Sequence, residues 1–195
     1  MATRIYAEAP GDERGALLSC LDDERGGIRR ALLGLTDEQA TTAPSASELS
    51  LAGLLKHAAE VEQGWLARAQ GVAPDVRRSE DAWQESFRPA GDETVADRLA
   101  YWEKVAGQTE MFILGLDSLD ETFPLPEAPW FPPGERVSMR WLLLHLITEM
   151  SRHSGHADII RETIDGATAY ELVELERHAQ QRRRPEREHR PERER

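Results

Sequence analysis

The stretch "SMRWLLLHLITEMSRHSGHADIIRETIDG", residues 138–166, decides the fold and poses the question of function. Its apolar residues Leu142, Leu146, Met150, Ala157, Ile160 and Ile164 recur at steps of three and four or their sums, the period of one helix face. Ser138 is placed to cap the first turn, and "DG" at 165–166 supplies the glycine at which helices end. A helix over Met139–Ile164 follows. Glu149 and His153 lie on or beside its buried stripe. A carboxylate carried into an apolar interior without a partner costs several kcal/mol, so a cation must meet Glu149, either an arginine from another helix or a metal ion.

Working outward, the same period marks three more long helices. From Asp12 to Leu35 the pattern runs Leu17, Cys20, Leu21, Ile28, Ala31, Leu32 and Leu35, with Cys20 expected as a packed thiol. Gly26 and Gly27 interrupt it at about 1 kcal/mol each relative to alanine, which points to a bend or a close helix crossing. "TDEQ" at 36–39 has the pattern of a capping box. Ser50 can cap a second long helix through about Gln70, with Leu54, His57, Val61 and Trp65 on one side. Residues 71–93, rich in Pro, Asp, Arg and Gly but holding Trp83 and Phe87, read as a long connection folded over the body. Thr94 opens a third helix, with Val95, Leu99, Trp102, Ala106, Thr109, Ile113 and Leu116 aligned.

"LPEAPWFPPGERVS", residues 125–138, contains four prolines and reads as a loop. "ATAYELVELERHAQ" at 167–180 suits a short extra helix on the outside. The Arg/Glu-rich remainder has no apolar content and reads as disordered. No segment alternates convincingly with a two-residue period, so no major sheet is expected. The fold class is all-α, a four-helix bundle with a short extra C-terminal helix. The domain spans 1–176 and the tail 177–195.

A chain of 195 residues with 39% hydrophobic content suits one domain with its own core. The formal charge is −12; residues 177–195 hold eight arginines and four glutamates, a net +4, which leaves −16 on residues 1–176. Such an acidic body disfavours nucleic acid and anionic membranes. The run "WLLLHLI", residues 141–147, is far shorter than the roughly 20 residues that span a bilayer. The N-terminal segment lacks the pattern of a secretory signal, and one cysteine excludes an internal disulfide; both suggest the cytoplasm.

Residues four apart on a helix stand one above the other, so Glu149 and His153 can reach one cation. His57, on the flank of the second helix's stripe, adds a third donor. Two nitrogens and one oxygen make the ligand count of an open zinc site, and the set suits other divalent first-row metals too. The alternative is a core histidine that is simply hydrogen-bonded. His145, one turn earlier, reads as structural or as support to a ligand. His156 and Asp158 are placed to orient a ligand imidazole or a substrate. A di-iron oxidase built on His57 and Glu60 would need two Glu-x-x-His motifs, which the sequence lacks.

"SLAGLLKHAAEVEQGWL" and "VSMRWLLLHLITEMSRHSGHADIIRETIDG" resemble the DinB-like superfamily, in particular its branch of small proteins from mycothiol-producing bacteria. The resemblance covers about residues 12–166. It implies a four-helix bundle holding a divalent metal, commonly zinc or nickel, near one end. Many members use three histidines, and here Glu149 stands where the first histidine of the helix-four pair would be. The mycothiol-dependent maleylpyruvate isomerase type is similar in using His, Glu and His, so the matching makes His57, Glu149 and His153 the ligands.

A divalent ion with open positions can bind a thiol and hold it as a nucleophilic thiolate. The function expected is metal-dependent use of a low-molecular-weight thiol such as mycothiol, for transfer to a small electrophile or for its isomerisation. Asp158, Arg161 and His156 are candidates to position cofactor or substrate. The alternative is a non-catalytic metal-binding or stress-response module, with Trp83, Trp130 and Phe131 offered to a partner protein. A homodimer is left open.

Overall fold

A computed structural model describes residues 12–78, 80–89, 91, 93–129 and 131–183. The four long helices are α1 (Glu13–Ala31), α3 (Leu51–Gln70), α4 (Val95–Gly115) and α5 (Met139–Asp165); α2 (Asp37–Thr41) and α6 (Ala169–Arg183) are shorter. A 3-10 helix, Glu80–Phe87, lies in the connection between α3 and α4.

The starts are fixed where the sequence places them. Backbone N–H groups donate to Ser50 Oγ from Gly53, to Thr94 Oγ1 from Asp97 and to Ser138 Oγ from Trp141, each at 3.1 Å. Such caps satisfy N–H groups that have no partner within the helix. The capping box of "TDEQ" forms as well, between Thr36 and Gln39. Gly71 and Gly166 end α3 and α5 in the left-handed conformation.

α1 packs most extensively on α5, and α3 packs against α1, α4, α5 and the 3-10 helix. That central position explains why α3 is buried on more than one stripe, through Leu51, Leu54, Leu55, Ala58, Ala59 and Leu66. Gly26 and Gly27 mark a close crossing, as their sequence suggests. Gly26 is buried, and a Cβ on Gly27 would come within 1.9 Å of Ser154 Oγ and 3.1 Å of Ser154 Cβ on α5.

One ion pair lies inside the apolar core. Glu62, fully buried on α3, accepts from Arg25 Nε at 3.0 Å and Nη2 at 2.5 Å, from Trp102 Nε1 at 2.9 Å and from Thr109 Oγ1 at 2.7 Å. Four donors on two oxygens replace the lost hydration and tie α1, α3 and α4 together.

Three expectations need correction. Cys20 is exposed, because the inward stripe of α1 runs through Leu21, Arg25 and Ile28, and a charged member hides that stripe from an apolar pattern. The proline-rich segment is not loop throughout: Arg136–Ser138 forms β2, antiparallel to β1 (Thr122–Pro124), with Phe123 opposite Val137. Arg136 fixes this pair by donating to Thr122 Oγ1 at 3.1 Å and Thr122 O at 2.7 Å, and three residues are too few to show an alternating pattern. The C-terminal helix continues to Arg183, so residues 177–183 are helical; an Arg177–Glu174 pair at 2.5 Å bridges one turn there. Residues 184–195 of the expected tail lie outside the described residues, as does Trp130. Among the described residues no helix is long and apolar enough to cross a membrane.

Candidate metal centre

α3 and α5 bring His57, Glu149 and His153 together. His57 Nε2 lies 3.3 Å and His153 Nε2 3.2 Å from the same oxygen, Oε1 of Glu149. One donor atom from each residue fits within a mutual separation of 4.8 Å. His57 is 1% exposed and His153 6%, while Glu149 keeps 22% of its side chain open, so the cluster has walls and an entrance.

Zinc–nitrogen and zinc–oxygen bonds of about 2.0–2.1 Å at tetrahedral angles put neighbouring ligand atoms about 3.3–3.4 Å apart. The two nitrogen–oxygen separations match that spacing, and the two nitrogens, within 4.8 Å of each other, would draw together to share one ion. Two neutral nitrogens and a carboxylate also form the donor set expected for zinc or another divalent first-row metal. The residues fit such an ion.

Hydrogen bonding, from His153 above all, holds the Glu149 carboxyl well below the usual carboxylate range, which keeps it ionised. Burial pushes His57 below the ordinary imidazole value, against the pull of Glu149. The site therefore favours a neutral ring beside a charged carboxylate, the state in which both bind metal.

The 3-10 helix covers His57. Phe87 stacks on the imidazole at 3.9 Å with an interplanar angle of 17°, and Trp83 meets it edge-on at 5.5 Å. Ser86, buried, lies with Oγ 2.9 Å from His57 Nδ1 and 2.7 Å from Trp83 O. Two features of α3 hold this cover down. Lys56 Nζ donates to Arg88 O at 2.7 Å and Glu85 O at 3.3 Å. Gly53 lets the Phe87 carbonyl approach to where a Cβ would be only 2.1 Å away.

The other expected site residues separate. His156 is at the cluster, with its Nδ1 3.4 Å from His153 Nδ1. His145 packs between aromatic rings: it stacks on Trp141 at 4.7 Å and meets Trp65 edge-on at 4.7 Å. Asp158 faces α1, among Glu162 and Arg30, and burial raises its pKa. Arg161 closes the end of α1 instead, donating to Ala31 O at 2.9 Å and Leu33 O at 2.8 Å, with Asp165 as its ion partner at 2.9 Å. A cation suits those unpaired carbonyls at a helix C-terminus, so Arg161 is engaged away from the cluster. Glu60 pairs with Arg78 at 2.8 Å, which removes it from any second metal position. Trp83 is 52% exposed, whereas Phe131 is half-buried against Trp65.

Residues 16–166 match the mycothiol-S-transferase family, which is DinB-like. The chain belongs to that family. The matched segment includes the three clustered residues and the 3-10 helix above them. The family points to mycothiol-related transferase chemistry, with a thiol and an electrophile as substrates. The fold also resembles the crystal structure of a conserved protein from Enterococcus faecalis, with a TM-score of 0.62 and 16% identity over 78% of this chain and 96% of that one. At that identity the likeness speaks to the bundle alone. No curated protein matches this chain.

Proposed function

We propose that this protein is a metal-dependent S-transferase in which His57, Glu149 and His153 hold one divalent ion, zinc fitting best, and mycothiol is the thiol substrate. The observation that carries the reading is the pair of nitrogen–oxygen separations, 3.3 and 3.2 Å, converging on one carboxylate oxygen beside an entrance. The family match supplies the thiol.

When bound, such an ion lowers the pKa of a coordinated thiol, so that it is thiolate at neutral pH. The chain's own residues do the rest. His57 and His153 contribute uncharged donors and Glu149 one negative charge, which leaves net positive charge to attract a thiolate. Phe87, stacked on His57 with the edge of Trp83 beside it, covers that side of the cluster, and electrostatic attraction is stronger where water is kept out. His156 contacts the outer nitrogen of His153 and orients that ring. In the transfer, thiolate sulfur attacks an electrophilic carbon, a carbon–sulfur bond forms, and the leaving group departs with its electron pair. With a cis alkene conjugated to a carbonyl the thiolate adds instead: a carbon–sulfur bond forms and the alkene pair moves into an enolate, the former double bond rotates, and expulsion of the thiolate restores the alkene in the trans form.

We place the protein in the cytoplasm, where small thiols stay reduced. A homodimer is compatible with this reading. Calorimetric titration of mycothiol into the zinc-loaded protein tests the proposal: binding is expected for the wild type and absent for His153→Ala. A zinc-loaded wild type with no affinity for the thiol would favour a non-catalytic module.

A further inference from the structure

The 3-10 helix carries a residue that no sequence motif marks. Ser86 Oγ lies 2.7 Å from the carbonyl oxygen of Trp83 and 2.9 Å from His57 Nδ1. A carbonyl oxygen only accepts, so the single hydroxyl hydrogen of Ser86 goes to Trp83. Oγ then has only lone pairs to offer, and Nδ1 of His57 must carry the hydrogen shared between them. On a neutral imidazole the other nitrogen is bare. Nε2 therefore turns a lone pair toward Glu149 Oε1, 3.3 Å away. Two lone pairs facing each other repel unless a cation stands between them. At His153 the outer nitrogen meets another imidazole nitrogen, His156 Nδ1, which takes either role and so leaves the tautomer of that ring open.

We propose that Ser86 is a positioning residue: anchored on the Trp83 carbonyl, it fixes His57 as the Nδ1–H tautomer and presents Nε2 to the cation shared with Glu149 and His153. Phe87, stacked on the same ring, sets its plane, so one short helix controls both the tilt and the hydrogen placement of a ligand that α3 supplies. Groups that orient a metal-bound histidine in this way contribute about 10–100-fold to metal affinity. The inference rests on the metal reading above and adds a residue to it.

The test uses the full chain, uniformly nitrogen-15 labelled and stripped of metal with a chelator. Nitrogen–proton correlation spectra report the tautomer of each imidazole, with His57 assigned by its absence in His57→Gln. The wild type is expected to show His57 protonated on Nδ1, Ser86→Ala to lose that preference, and Ser86→Thr to restore it. Zinc affinity by competition with a chromophoric chelator should fall about 10–100-fold in Ser86→Ala and recover in Ser86→Thr. A wild type protonated on Nε2, or a Ser86→Ala protein that binds zinc as tightly as wild type, overturns the proposal. If wild type binds no zinc yet shows the Ser86-dependent tautomer, the metal reading falls and the hold of Ser86 on His57 stands.

Discussion

Gly53 and Phe87 are in backbone contact that only a glycine permits: a Cβ at position 53 would lie 2.1 Å from the Phe87 carbonyl oxygen and 3.0 Å from its carbon. Neither atom can swing aside like the end of a side chain. Gly53→Ala should therefore push the 3-10 helix outward, at a cost of about 1–3 kcal/mol. Ser86 and Phe87 would move with it. Zinc affinity is expected to fall although all three ligands are unchanged, and urea unfolding with chelator competition measures both effects. Unaltered stability and affinity would refute this close contact.

Arg25 and Glu62 provide a separate prediction, about the fold and not the site. Glu62→Ala leaves a buried guanidinium without its carboxylate and should destabilise the protein by about 3–5 kcal/mol. Replacing both partners, as in Arg25→Met with Glu62→Leu, should recover much of that loss, since no buried charge is stranded. Denaturant midpoints of the three proteins decide the matter. The metal site should survive in the double variant, because the hydrogen-bond partners of Glu62 are Arg25, Trp102 and Thr109 and not the site residues.

Acid should weaken the metal-free fold in a defined window. Burial lowers the pKa of both His57 and His145 in the folded protein. In the unfolded chain each takes up a proton near the ordinary value of about 6.5, while in the fold each resists. The unfolded state thus binds more protons as pH falls through that value, and stability decreases. Glu149 adds a second loss at lower pH, since its depressed pKa makes the unfolded carboxyl protonate first. Melting temperatures with chelator present should drop between about pH 7.5 and about pH 5.5. His145→Phe should flatten part of that slope.

Much of this molecule could be read from its residues before any coordinates. Ser50, Thr94 and Ser138 cap the helices they were expected to cap, because capping depends on local chemistry alone. Glu149 and His153 share a helix face by spacing, and His57 flanks the apolar stripe of the second long helix, so all three donors are visible in local patterns. What stayed hidden depends on distant chain segments. Glu62 is inward because Arg25, Trp102 and Thr109 meet it, and nothing near Glu62 in sequence says so. Ser86 lies in a connection without helical period, 29 residues from His57, and its role exists only once Lys56 and Gly53 hold that connection down. The engagement of Arg161 is hidden for the same reason: its partners are carbonyls at the far end of α1.

The most direct measurement is metal content by plasma emission on wild type, Glu149→Gln and His153→Ala, purified alike and loaded with zinc. A shared cation between α3 and α5 predicts about one ion per wild-type chain and a clear deficit in both variants. Equal zinc in all three proteins, or none in any, would contradict it.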